Sequence, residues 1–287
     1  MIIKNKKNNK KMSFNGIDII VPVHKYNDEV SILLTRCLSS IKEMSKKSVS
    51  NNIKIDIQIV GPSSLPSKEI LNLIEWGEEF NTFNVSENTT QKFDFSSQVN
   101  YAVENLCKND YFMIVEFDDM VTLNWLNTSI PYINKYKNCP MFLPLIETYD
   151  IKNPTTPLYY INEMGWSSSF VENELGVINN SLLHDYYNFN ITGSILRKKE
   201  FLKAGGLKPS IKLSFGHELM LRLTHFYDSL FVIPKVGYFH FLNRDDSLTS
   251  EYHKTLSKEE GSWWIQLATQ EYEYKEDRNK TYIPDEK

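Results

Sequence analysis

The 287-residue sequence is poor in several features that mark whole classes of protein. It has only three cysteines, Cys37, Cys107 and Cys139, odd in number, widely spaced and without a CxxC pair. A disulfide framework and a cysteine zinc site are therefore not expected, and a reducing, cytoplasmic compartment fits. No apolar run approaches the 18 or so residues that a membrane span needs; the longest are of strand length. Glycine and proline number 11 each, which excludes collagen-like and Pro/Gly-rich low-complexity chains. Neither sign of charge dominates, with 32 Lys and Arg against 36 Asp and Glu for a net charge of −4. Such a chain lacks the overall positive field behind nonspecific nucleic-acid affinity. Neither a phosphate-cradling P-loop, a dinucleotide GxGxxG nor a GxSxG elbow is present.

What remains is an ordinary globular composition, 41% hydrophobic and 24% charged, in a chain long enough for two domains or one large α/β domain. The first twelve residues, MIIKNKKNNKKM, carry five lysines and no following apolar stretch, so residues 1–12 read as a disordered tail and not as a secretory signal.

From Ile17 the run IDIIVPV predicts a strand ended by Pro22. Val30, Leu33, Leu34, Cys37, Leu38 and Ile41 then fall on one helical face. IKIDIQIV over 53–60 predicts a second strand, stopped at Gly61-Pro62. A helix is expected over 67–78, a short strand over 80–85, and a helix carrying Phe95, Val99, Ala102, Val103 and Leu106 with Ser96 or Ser97 as its cap. YFMIVEF over 111–117 is a nearly continuous apolar strand, as expected where helices cover both faces of a sheet. This alternation implies a mostly parallel, doubly wound sheet, whose ligands bind beyond the carboxyl ends of the strands. Further strands are expected over 141–146, 190–196 and 230–233. Trp264, Leu267, Ala268 and Tyr272 suggest a docked C-terminal helix.

The sharpest chemical feature is Glu116-Phe117-Asp118-Asp119, three carboxylates in four residues at the end of a central strand. Crowded carboxylates repel, and a cation relieves them; hard oxygen ligands suit Mg²⁺ or Mn²⁺, which can then meet diphosphate oxygens. The plain alternative is a solvated acidic turn in which Asp119 caps a helix starting near Thr122. Glu218 in GHELMLRL is a candidate general base at a helix start. It is equally suited to an i, i+4 pair with Arg222. His240 in GYFHF suits a metal ligand, although a histidine among aromatics commonly serves packing; His24 carries the same ambiguity. Arg244 could bind phosphate through two N–H groups.

Taken in order, IIVPVHKYND, FSSQVNYAVENLCKNDYFMIVEFDD, FNITGSILRKKEFLKAGGLKPS, FGHELMLRL and FHFLNRDDSLTS resemble the motif series of family 2 glycosyltransferases of the GT-A fold, over roughly residues 17–250. The resemblance implies an α/β, Rossmann-like GT-A domain over 13–250, with a nucleotide-binding half (13–125), an acceptor half (126–250) and a C-terminal helical extension (251–287). It implies metal-dependent, inverting transfer of a sugar from a nucleotide-diphosphate donor to an acceptor hydroxyl. The metal would sit on Asp118, Asp119 and His240. Glu116 and Asp118 would face the diphosphate, Pro22, Val23 and His24 the nucleoside, Arg244 and Ser247 the diphosphate, and Glu218 would be the base with His217 beside it. Two departures stand out. Val60-Gly61-Pro62-Ser63-Ser64 replaces a stretch whose acid commonly reads the nucleobase, and His217-Glu218 replaces a Glu-Asp pair.

The C-terminal WWIQLATQEYEYKEDR and the Asn/Lys/Ile bias look like glycosyltransferases of large DNA viruses and phages, which would place the chain in host cytoplasm. The acceptor is then open among a glycan, a protein and a hydroxymethylated DNA base. A catalytically silent GT-A-like binding or structural module is the main alternative. Nucleotidyl transfer ranks last because no Gly-rich, Lys-bearing phosphate loop is present near the N-terminus.

Overall fold

A computed structural model describes residues 14–271, apart from 49–52, 89–91, 93, 170, 172–173, 245–246 and 256. The expected 1–12 tail, Tyr272 and the side chain of Trp264 lie outside the described part. The first half alternates as the hydrophobic pattern requires: β1 (Gly16–Pro22), α1 (Asp28–Ser48), β2 (Lys54–Gly61), α2 (Ser67–Leu71), β3 (Thr82–Glu87), α3 (Phe95–Asn105) and β4 (Tyr111–Ile114). There follow β5 (Met120–Val121), α4 (Trp125–Lys135), β6 (Met141–Asp150), β7 (Tyr159–Ile161), β8 (Val177–Asn179), α5 (Asn180–Asp185), β9 (Ile195–Arg197) and α6 (Lys198–Lys203). The described part closes with α7 (Phe215–Tyr227), β10 (Ser229–Leu242), α8 (Leu248–Thr255) and α9 (Lys258–Glu271).

All ten strands join one sheet, ordered β3-β2-β1-β4-β9-β6-β10-β5, with β7 on β6 and β8 on β10. The pairs β1–β2, β1–β4, β2–β3 and β6–β10 are parallel, while β9 and β5 run antiparallel to their neighbours. Successive strand residues point to opposite faces, and both faces are apolar. Ile17, Ile19, Val21, Ile55, Ile57 and Ile59 meet the buried stripe of α1, from Val30 to Met44. Ile20, Val60, Phe112 and Ile114 meet Val99, Ala102 and Val103 of α3 and Leu219 to Leu223 of α7. The architecture is thus a mixed α/β fold with a large, mostly parallel central sheet covered by helices. Among the described residues, no helix is long and apolar enough to cross a membrane.

Several boundaries differ from the sequence expectation for local reasons. The helix expected over 67–78 stops at Leu71, where Trp76 folds back to donate to the Leu71 carbonyl (2.7 Å) and stacks on Phe83 with centroids 3.6 Å apart. The cap of α3 is Asp94, not Ser96 or Ser97, because its carboxylate accepts from both the amide and the hydroxyl of Ser97 (3.0 and 2.8 Å). The strand expected over 190–196 shrinks to Ile195–Arg197 because Gly193 turns at φ 71°, its amide donating to the Ile114 carbonyl. A Cβ there would lie 2.5 Å from the Tyr238 ring, so both the angle and the close approach demand glycine. The strand expected over 230–233 extends instead to Leu242, which carries it into the site described below.

At the opposite, amino edge of the sheet, Asp18 and Asp56 are buried. Asn109 bridges them, its side-chain amide donating to Asp18 (3.0 Å) and to Asp56 (2.8 Å). Removing that bridge leaves two buried acceptors short of a donor, which costs about 2 kcal/mol. Asn109→Ala is therefore expected to lower the free energy of urea unfolding by that amount, seen as a lower midpoint at unchanged m; an unchanged midpoint would show the bridge to be dispensable.

Candidate active site

β1 lies between β2 and β4, so the chain's connections diverge there, and the crevice beyond the carboxyl ends of β1 and β4 is the place where such sheets bind ligands. Pro22 and Val23 are buried at that end of β1, and the Val23 amide donates to the Val60 carbonyl (2.8 Å). His24 is half-buried with its ring 5.5 Å from that of Phe117. Gly61 sits close by: an added Cβ would meet the Val23 carbonyl oxygen at 2.4 Å. Close approach of two backbones explains glycine at this position, where a nucleobase-reading acid was the family expectation.

The acidic loop continues directly from β4. Its main chain is held from three sides. The Glu116 amide donates to the Tyr238 hydroxyl (2.9 Å), the Cys37 thiol donates to the Glu116 carbonyl (3.5 Å), and Arg36 donates to the Asp118 carbonyl. Asp119 is fully buried, one oxygen accepting from the Phe241 amide (2.9 Å) and the other lying 2.8 Å from His240 Nδ1. Asp119 therefore ties the loop to β10 and does not cap α4, which starts at Trp125. Asp118 turns the other way, toward Arg244, whose Nε lies 3.3 Å from its carboxylate and whose guanidinium sits 4.7 Å over the Phe117 ring.

Ligand atoms of Glu116, Asp119 and His240 all fall within 4.8 Å of one another. The three-residue cluster thus takes Glu116 where the sequence analysis had Asp118. Burial, reinforced by the charge of Asp119, pushes the Glu116 carboxyl up to about 8 and Asp118 up to about 6. Burial alone would lower His240, but Asp119, Glu116 and Asp118 together outweigh it and raise the imidazole to about 10. The carboxylates therefore compete for charge, and the site is countered by His240 and Arg244 in part and by protonation of Glu116 in part.

Ser247 stands at the start of α8, and its hydroxyl accepts from the Ser250 amide (3.1 Å). Asp245 and Asp246 lie outside the described residues. Glu218 is apart from the acidic cluster. It is 3% exposed, and its two oxygens take Arg222 Nε (3.0 Å) and Nη2 (2.7 Å), with Lys208 Nζ 3.0 Å away. This is the i, i+4 pair that the sequence allowed, reinforced by a second cation. Its neighbour His217 is buried edge-on against Tyr187 at 5.2 Å, beside the Leu183 backbone.

Three contributors were missed from sequence. Tyr238 is two residues before His240 and so shares its strand face, a period-2 signal. Arg36 adjoins Cys37 beside the apolar stripe of α1, an unusual place for a charge. Cys37 reads only as core until the loop is seen above it.

Sheet order and the acid loop beyond β4 define a GT-A-like architecture, the kind that glycosyltransferases use. Among the solved structures it resembles are those of Staphylococcus aureus TarS, a GT-A-type family 2 glycosyltransferase. Against TarS 1–349 in complex with UDP-GlcNAc the TM-score is 0.62 at 14% identity, covering 88% of this chain and 65% of that one. With TarS 1–349 in complex with UDP the figures are 0.57, 14%, 80% and 62%. With the longer TarS structure they are 0.58, 13%, 94% and 44%. The chain thus spans 60% to 65% of the length of TarS 1–349, and at this identity the likeness is one of fold. No protein-family model and no curated protein matches the sequence.

Burial pushes the His217 imidazole down from 6.5 to about 4. The folded state thus resists a proton that the unfolded chain accepts, so this contribution is present above pH 6.5 and is lost as pH falls toward 4. The urea midpoint is expected to fall over that interval, and less steeply in His217→Leu; parallel falls in both proteins would place the acid sensitivity elsewhere.

Proposed function

We propose that this chain transfers a sugar from a nucleotide-diphosphate donor to an acceptor hydroxyl. The observation that carries the reading is the Glu116, Asp119 and His240 cluster at the switch point of a GT-A-like sheet. Support comes from TarS, whose structures of the same fold contain UDP-GlcNAc and UDP.

The residues fit a divalent cation: two carboxylates, of which burial disfavours the charge of Glu116, an imidazole, and ligand atoms mutually within 4.8 Å. Mn²⁺ or Mg²⁺ held by Glu116, Asp119 and His240 would neutralise diphosphate charge as a Lewis acid. The chain's own groups do the rest. Pro22, Val23 and His24 wall the nucleoside side of the crevice. Arg244, stacked on Phe117, offers a planar donor to phosphate oxygens at the cost of its contact with Asp118. Arg36 and Tyr238 hold the loop backbone, so that its carboxylates are in place before a ligand arrives. Inversion at the sugar, hexosyl or pentosyl specificity, a cytoplasmic setting and a viral source belong to this proposal as its finer parts. So do the division at residue 125 and the acceptor, whether glycan, protein or modified nucleic acid.

One observation favours the silent-module alternative. Glu218, which motif order makes the base, has the geometry of a buried ion pair. Three experiments decide between the readings. A thermal-shift series with UDP, UDP-GlcNAc, GDP, CDP and TDP, with and without Mn²⁺, is expected to show metal-dependent stabilisation by one nucleotide class. Asp119→Asn should abolish that metal dependence and cut turnover roughly 100-fold or more; a flat response across the panel would favour the silent module. Glu218→Gln is expected to lower the melting temperature by several degrees while the folded protein keeps turnover within roughly 10-fold, as suits a structural pair. Loss of roughly 100-fold or more at unchanged melting temperature would instead restore Glu218 as the base.

A further inference from the structure

A cavity of about 870 Å³ opens beside the acidic loop, between α1, β5, the start of α4 and the middle of β10. Its volume lies in the range of small-molecule sites, about 300–1,000 Å³. None of Glu116, Asp118, Asp119 and His240 lines it, although Arg36, which also holds the acidic loop, does. Phe239 does line it, and alternation along β10 turns Phe239 and His240 to opposite faces. The register of β10 against β6 shifts between Val232 and Val236, and again before Tyr238, beside the cavity-lining Lys235 and Val236.

The chemistry of the lining is one-sided. Met120, Val121, Leu123, Val236 and Phe239 make an apolar wall. Among the polar lining groups, several are already engaged within the protein. The Ser40 hydroxyl donates to the Cys37 carbonyl and accepts from the Val121 amide, and the Thr122 hydroxyl donates to the Val236 carbonyl. Glu43, the one acid of the lining, is paired with Lys46 at 2.6 Å. The two cations differ. Arg36 lines the cavity while donating to the Asp118 carbonyl and lying over Phe241, and Lys235 is exposed with no ion-pair partner among the described residues. A lining of apolar side chains with two cations, its one acid already matched, is complementary to one negative group on an apolar body.

We propose that this cavity binds a small amphipathic anion, a single acidic group carried on an apolar body. The apolar part lies against Leu123, Val236 and Phe239, and the acidic group faces Arg36 and Lys235.

Isothermal titration of the full chain with decanoate, and separately with decanol, tests this, both below the concentration at which they aggregate. Decanoate is expected to bind saturably at one site, and decanol at least tenfold more weakly. Lys235→Glu, a change at an exposed position, should weaken decanoate tenfold or more and leave decanol unaffected. Leu123→Trp, at a side chain 42% exposed, should weaken both by filling the mouth of the cavity. The proposal is overturned by absent saturable decanoate binding, by equal affinity for decanol, or by decanoate affinity that neither variant changes.

Discussion

Three carboxylates within four residues, at the one edge of the sheet where ligands bind, form the constraint around which the rest of this structure is arranged. Like charges held so close in a buried place must be countered or protonated. The protein answers with unequal environments. Asp119 is sunk completely and used as a tether, bonded to the backbone and imidazole of β10. Asp118 is turned to Arg244, and Glu116 is left half-buried with its carboxyl pushed toward neutrality. The Asp119 tether is what brings His240, more than a hundred residues later in the chain, to the loop.

The surrounding architecture makes that arrangement rigid. Tyr238, wholly buried, reaches the Glu116 amide from the same strand face as His240. Gly193 lies against the Tyr238 ring where any side chain would collide. Arg36 spans from α1 to the loop's backbone while its guanidinium lies 3.9 Å over Phe241. Loop, helix and strand are thereby locked by contacts that are individually modest and mutually dependent, which is how a site remains preorganised in the face of its own repulsion.

Glu218 carries two readings at once. The same GHELMLR string satisfies a catalytic pattern and an i, i+4 ion pair, and the two differ in what the carboxylate does. Here it points to Arg222 and Lys208, and Arg222 goes on to bond the Ala204 carbonyl, so the acid serves to dock α7 onto the turn after α6. Gly61 is the converse case. Its departure from the family pattern has a steric cause, the nearby Val23 carbonyl, that no sequence string reveals.

The sequence by itself determined the α/β class, the parallel first half of the sheet and the position of the acidic loop. Hydrophobic periodicity is local, and β1, α1, β2, α3 and β4 each declare themselves within their own residues. It also determined that Glu116, Asp118, Asp119 and His240 were the residues to watch. Tertiary structure alone decided which of them meet, that Asp119 bonds to β10 instead of capping a helix, that Asp94 caps α3, and that β10 runs fourteen residues into the site. Those outcomes depend on side-chain direction and on partners distant in sequence, and neither leaves a mark in the period of a pattern.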